Sequence, residues 1–249
     1  MQIFTGNPRG WESRNLGTLE ISEFRKKSVE YDISPVAAHM PYLPNLASGN
    51  EDTRNKSVYA LRENADRCAA LGVRYLVLHL GSHLGEGVGK GIRNVAIGID
   101  DADIPNGVIP LLENSAGQKN SVGSRLEELG ELQDRIGRDR IGFCLDTCHL
   151  FAAGYDIRED SVIDDIDSEI GLDNVRMLHL NDAKYELGSG RDRHDNIGKG
   201  EIGTEGFLRF FGYAGMSGKP MIMETPELPR NEELEELRLL RKIVGMAAV

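Results

Sequence analysis

The 249-residue sequence predicts an α/β fold of the (β/α)-barrel type, built on parallel strands. Three observations carry this expectation. Seven short apolar runs are continuous rather than alternating, as befits parallel strands covered on both faces. Longer charged segments with helical periodicity lie between them, and strand-then-helix alternation implies right-handed crossovers. The chain length suits one α/β barrel or two small domains.

In order, the expected strands are residues 2–5, 35–39, 75–80, 108–113, 141–146, 175–180 and 220–224. Between them, 56–71 places Val58, Leu61, Ala65 and Cys68 at helical spacing. The 231–244 segment does the same with Leu234, Leu237, Leu240 and Ile243, after Pro229 and an Asn231 suited to cap the start. The count is seven strands and seven helices, where a closed barrel of this type has about eight of each. One strand escapes this reading, or one βα unit is absent and the barrel is open or shortened. The chain starts inside a strand, which favours a missing first unit. No linker or composition shift divides the sequence.

Apolar content of 40% supports a substantial core, and no apolar run approaches the roughly 20 residues of a membrane span. Met1 leads straight into a strand-like run, with no basic-then-apolar leader. Cys68, Cys144 and Cys148 lack paired CxxC spacing, which argues against a disulfide framework or zinc finger and points to a reducing cytoplasm. A formal charge of −11 argues against holding nucleic acid through a general basic surface. A local anion site is compatible with it.

Five of the six histidines lie at the ends of the expected strands or just after them, among carboxylates. A scarce ligand type used repeatedly at one end of a parallel sheet suggests a multi-metal, hydrolytic site. His79 and His83 have the i, i+4 spacing of a helical zinc pair, but Gly81 breaks the segment and no glutamate follows His79. His79 fits a ligand, and His83 is left open. Asp146 and His149 follow a strand and can both aim into a barrel mouth, or be satisfied loop residues. Cys148 between them could bind zinc but suits the barrel wall better. Asp192 and His194, two apart in a loop, share a side; His149 would complete a three-ligand site. The bland alternative is a solvated charged loop, since Arg191, Arg193 and Asp195 are neighbours. Glu113 and Glu224 end very apolar strands, where burial is costly without an ion pair or a metal. No expected strand interior supplies a cation. His39 belongs to the same set by position, or is a core histidine.

These motifs resemble the endonuclease IV family, zinc-dependent apurinic/apyrimidinic (AP) endonucleases of base excision repair (AP endonuclease family 2). The most specific pieces are His79-Leu-Gly-Ser-His83, Glu113-Asn-Ser-Ala-Gly117, the run from Leu145 to Asp156, His179-Leu-Asn-Asp-Ala-Lys184, and Asp192-Arg-His194 followed by Gly198-Lys-Gly200. The resemblance implies one xylose-isomerase-like TIM-barrel domain over residues 1–249, N-terminally short by a strand and helix. It implies three zinc ions, with manganese an alternative occupant in part. His39, His79 and Glu113 would hold the first. Glu113 would bridge to a second, held also by Asp146, His179 and Glu224. His149, Asp192 and His194 would hold the third. Glu113, Asp146 and Glu224 would be the catalytic carboxylates. Arg9, Tyr42 and Leu43 match the residues that enter the gap left by a flipped abasic nucleotide. The implied reaction is hydrolysis 5′ to an abasic site in duplex DNA by a trinuclear zinc mechanism, leaving a 3′-hydroxyl and a 5′-deoxyribose phosphate. The enzyme would be a cytoplasmic monomer without membrane association.

Two other readings compete. A single-metal sugar isomerase or epimerase of the same barrel superfamily needs only Glu113, Asp146, His179 and Glu224. An inactive binder of damaged DNA would result if the short start removed catalysis.

Overall fold

The computed structural model describes residues 1–213 and 215–247. These form two compact units, one comprising Met1–Glu113, Asn120–Val122 and Glu131–Gly142, the other Asn114–Lys119, Gly123–Gly130 and the residues from Phe143 onward.

In the first unit the elements are β1 (Gln2–Phe4), α1 (Thr18–Glu30), β2 (Ala37–His39), α2 (Glu51–Leu71), β3 (Tyr75–His79), α3 (Val88–Asp101) and β4 (Ile109–Glu113). Its four strands pair in sequence order, all parallel. The pairing sets His79 directly opposite Glu113 at the carboxyl ends of β3 and β4. Leu76, Val77, Leu78, Leu111 and Leu112 are buried on both faces, which explains the continuous apolar runs. Helix α2 starts five residues before the apolar period becomes visible. Asn50 caps it, its Oδ1 accepting from Thr53 N at 2.9 Å, and Gly72 ends it in the left-handed region at φ 74°. From α2, Arg67 donates through Nε to the Thr5 carbonyl at 2.8 Å, and Thr5 Oγ1 donates to Asn64 Oδ1 at 2.7 Å. The exit of β1 is thereby fixed where the loop to Trp11 begins.

Helix α4 (Leu126–Ile136) divides its residues between the two units. The second unit then runs β5 (Gly142–Asp146), α5 (Thr147–Ala153), α6 (Ser161–Glu169), β6 (Val175–Leu180), β7 (Asp182–Ala183), β8 (His194–Asp195), α7 (Gly203–Gly212), β9 (Met221–Met223) and α8 (Arg230–Ala247). Strands β5, β6 and β9 are parallel, whereas β7 and β8 form a short antiparallel clip. Its core is aromatic, with Phe143, Phe151, Phe207, Phe210 and Phe211 fully buried.

All seven expected strands occur, with boundaries shifted by at most two residues. Eight α-helices are present among the described residues rather than seven. The extra one, α5, follows β5 without a loop, so the expected turn between Asp146 and His149 is the first turn of a helix. Asn231 does not cap the last helix. That helix begins at Arg230, and the Glu232 and Glu233 amides donate instead to the Pro229 carbonyl at 2.7 and 3.1 Å. Leu240 and Ile243 are buried, but Leu234 and Leu237 remain 47% and 45% exposed.

The β7–β8 clip depends on Asp182, which is fully buried. Its carboxylate accepts from the amides of Ala183, Gly198 and Ile202, each at 2.9 Å, and from Gly203 at 3.2 Å. Four main-chain donors on one side chain hold the 196–203 loop against β7. Asp182→Ala is expected to destabilise the protein by about 2–4 kcal/mol, lowering Tm by about 5–15 °C. Asp182→Asn, which keeps an acceptor, should lose about half as much. Equal melting curves for parent and alanine variant would refute the assignment.

Candidate metal centre

Three strands of the first unit end in ligand-type side chains. His39 closes β2, His79 closes β3 and Glu113 closes β4, and parallel pairing brings these carboxyl ends to the same edge of the sheet. The His39 Nε2 and the His79 Nδ1 both face Glu113 Oε2, at 3.1 and 3.3 Å. One ligand atom from each of the three lies within 4.8 Å of the other two. His39 is oriented through its other nitrogen: Nδ1 lies 2.7 Å from the Met40 carbonyl, which can only accept, so Nδ1 carries the proton. His39 is a buried histidine, but one turned onto a carboxylate rather than a plain core residue.

Beside this cluster, the Tyr42 ring stacks on His79 with centroids 6.0 Å apart, and the Tyr42 amide donates to the Pro8 carbonyl at 3.1 Å. That bond brings the loop carrying Arg9 alongside Tyr42. Arg9 is exposed, Tyr42 is 58% exposed and Leu43 is 43% exposed. His83 does not join the cluster. Its Nδ1 accepts from the Gly85 and Gly87 amides at 3.2 and 3.0 Å, holding the turn before α3.

The second unit repeats the arrangement. Asp146 ends β5, His179 lies near the end of β6 and Glu224 follows β9. The register sets Asp146 opposite His179, and His179 Nδ1 lies 3.1 Å from Glu224 Oε2. One atom from each of these three also lies within 4.8 Å of the others. A further set surrounds Asp192, whose Oδ1 is 3.4 Å from His149 Nε2 and 3.4 Å from His194 Nε2. His149 Nδ1 donates to the Asn114 carbonyl at 2.9 Å, and His194 Nδ1 donates to the Glu224 carbonyl at 3.0 Å. Both rings therefore carry the Nδ1 proton and turn Nε2 towards Asp192.

Electrostatics ties this set together. Burial raises the Asp192 carboxyl, but the His149 and His194 imidazoles beside it outweigh this and hold it far below the usual carboxylate range. Burial lowers His194, yet Asp192 and Asp146 push it up to about 9. A divalent cation bound among these groups would compete with the proton that they favour on His194.

The sequence reading misses the residues that hold these ligands. Asp146 caps α5, its Oδ1 accepting from His149 N at 2.9 Å, while Asn181 Nδ2 donates to Asp146 Oδ2 at 2.6 Å. Asn181 Oδ1 accepts from the Glu224 amide at 3.0 Å, and Asn114 Oδ1 accepts from the Asp146 amide at 2.7 Å. The asparagines stand inside the quoted motifs, directly after Glu113 and two residues after His179, but nothing in a lone amide at a strand end signals this duty.

The residues fit a divalent metal. His194 Nε2 is buried without a hydrogen-bond partner, 3.7 Å from Asp146 Oδ2 and 3.4 Å from Asp192 Oδ1, a donor atom left open for a cation. Imidazole and carboxylate donors in closed sets suit zinc. No thiol competes: Cys148 is buried and its Sγ donates to the Arg193 carbonyl at 3.6 Å.

The sequence profile of the xylose isomerase-like TIM barrels matches residues 1–243. A probable endonuclease 4 of Cenarchaeum symbiosum is 45% identical over 252 residues, covering 98% of this chain and 90% of that protein. The chain belongs to the endonuclease IV family of nucleases. Crystalline endonuclease IV of Thermus thermophilus superposes on it with a TM-score of 0.87 at 35% identity, covering 98% of this chain and 88% of that one. A D-tagatose 3-epimerase-like protein shares the fold at a TM-score of 0.75 and 19% identity, over 93% and 85% of the two chains. Family membership fits the seven parallel strands of a TIM-type barrel. No described helix is long and apolar enough to cross a membrane.

The cysteines give a direct check. Burial pushes Cys68 up to about 12, only partly offset by Arg67, and burial with Asp146 and Asp192 raises Cys148 as well. An aromatic disulfide reagent at pH 8 should label no thiol in the folded protein and all three after unfolding. Cys148→Ala should keep the parental metal content. Loss of metal in that variant would make the thiol a ligand.

Proposed function

We propose that this member of the endonuclease IV family hydrolyses the phosphodiester 5′ to an abasic site in duplex DNA, leaving a 3′-hydroxyl and a 5′-deoxyribose phosphate. It would act as a single-domain, cytoplasmic monomer on three zinc ions, with manganese able to replace some of them. His39, His79 and Glu113 would hold one ion. Asp146, His179 and Glu224 would serve a second, and His149, Asp192 and His194 a third. Bound zinc supplies Lewis acidity and lowers the pKa of water, so that no side chain need act as a strong base.

The observation that carries this reading is the Asp192 set. Two imidazoles with fixed tautomers converge on one carboxylate oxygen, in addition to Asp146, His179 and Glu224. A sugar isomerase or epimerase working on one ion would have no use for them, and the epimerase-like relative supports the fold alone. The same donors, intact and well oriented, weigh against an inactive DNA binder.

The rest of the work falls to the chain. Asn181 and Asn114 keep Asp146 aimed, so its carboxylate need not reorganise during reaction. Glu113 in the first unit, and Asp146 and His179 in the second, are buried, which would strengthen their hold on a cation. Tyr42, stacked on His79, and its exposed neighbour Leu43 would fill the space left by an extruded nucleotide, and Arg9 would face the strand. An abasic nucleotide has no base to unstack, so extrusion costs least there.

Glu113→Ala or Asp146→Ala should reduce incision of a duplex with one abasic site by at least about a thousandfold. Chelation should abolish the activity and zinc restore it, and elemental analysis should return about three zinc ions per chain. Near-parental cutting by either variant, or a single bound ion, would overturn the reading.

A further inference from the structure

Two loops of the second unit meet at Asp192. Gln118 donates from Nε2 to Asp192 Oδ2 at 3.3 Å. A cleft of about 240 Å³ lies there, lined by Gln118, Tyr185, Arg191, Asp192 and Arg193. The Arg191 guanidinium carbon stands 3.7 Å from the centre of the Tyr185 ring. Arg193 donates through Nη1 to the Asp192 carbonyl at 2.7 Å. Lys119 and Lys184 adjoin the lining residues in sequence.

Several arginines of this protein are neutralised by a carboxylate partner. Arg14, Arg125, Arg135, Arg140 and Arg158 each pair with a carboxylate. Among the described residues, neither Arg191 nor Arg193 does, although the sequence holds 40 acidic side chains against 29 lysines and arginines. A guanidinium stacked on an aromatic ring keeps its in-plane N–H donors while losing much of its freedom. That lowers the ordering cost of binding a flat, bidentate acceptor such as a phosphate. The one carboxylate in the cleft wall does not spoil it: Asp192 turns Oδ1 to His149 and His194, and Gln118 covers Oδ2. What remains is a pair of uncompensated guanidinium groups at the edge of the candidate metal cluster.

We propose that Arg191, stacked on Tyr185, and Arg193 form a phosphodiester-binding cleft that grips the DNA strand beside the bond to be cut. The inference rests on the abasic-endonuclease reading and adds to it a specific pair of backbone contacts. Contacts of this kind fall on phosphate oxygens and so would be independent of base sequence.

The test compares the zinc-loaded parent with Arg191→Ala, Arg193→Ala, Tyr185→Leu and, as a control, Arg241→Ala on helix α8. Incision and equilibrium binding of a duplex with one abasic site are followed from low to moderate salt, with metal content measured for each protein. Arg191→Ala and Arg193→Ala should each raise KM about tenfold, with kcat falling far less. Each should also flatten the salt dependence of binding by about one unit of log–log slope. Tyr185→Leu should weaken binding in part while keeping the parental slope, because the charge stays and its anchor goes. Arg241→Ala should behave as the parent. Parental KM and slope in both cleft variants, with a parent that cuts, would overturn the cleft and leave the incision reading standing. Equal effects from Arg241→Ala would also overturn it, by making the effect one of general charge. A metal-replete parent that neither binds nor cuts the duplex would bring down both.

Discussion

Three imidazoles in this protein have Nδ1 tied to a main-chain carbonyl: His39 to Met40, His149 to Asn114 and His194 to Glu224. The bond does two things at once. It settles which nitrogen carries the proton, and it fixes the ring so that Nε2 faces a carboxylate. Without that constraint a buried histidine would be a liability, with a polar atom turned wherever packing left room. With it, each ring becomes a directed donor atom. The carboxylates are treated in the same way, Asp146 being held by the Asn181 amide on one oxygen and by the first turn of α5 on the other. A metal would meet donors whose reorganisation has already been done during folding.

The two units solve the placement problem alike. Each uses the carboxyl ends of three parallel strands, β2, β3 and β4 in one and β5, β6 and β9 in the other, to present histidine and acid together. The second unit adds the β7–β8 clip, which returns the chain so that Asp192 and His194 come back to His149. Two residue pairs of antiparallel ladder could not hold that loop alone. The Asp182 carboxylate supplies what the short ladder lacks, collecting the amides of the 196–203 loop.

Much of this was legible before any coordinates. Buried parallel strands leave continuous apolar runs, so all seven were visible, and ligands at their ends could be picked out because His39, His79, Glu113 and His179 interrupt those runs with polar groups. What was hidden lacked a period. The first turn of α2 is charged and exposed, α5 is too short to show an amphipathic stripe, and the β7–β8 clip has two residues a side. Leu234 and Leu237 show the opposite failure, an apolar period that the fold leaves half in water. The supporting amides were invisible for a different reason. Asn114 and Asn181 act through distances set by tertiary packing, and an asparagine read along a chain carries no sign of which carboxylate it will meet.

Net charge misleads in the same way. A balance of −11 suggests a protein that repels polyanions, but the sum says nothing of where the acids are satisfied. Several carboxylates lie beside a cation or imidazole, Asp192 beside two imidazoles and Asp156 beside Arg158. Charges compensated over a few ångströms contribute little beyond a Debye length of about 8 Å at physiological salt. An uncompensated guanidinium such as Arg191 is felt at that range, and a cluster of divalent cations more so. At the cleft, the potential that a DNA strand would meet is set by Arg191, Arg193 and any bound cations, so an acidic protein can present a locally cationic surface.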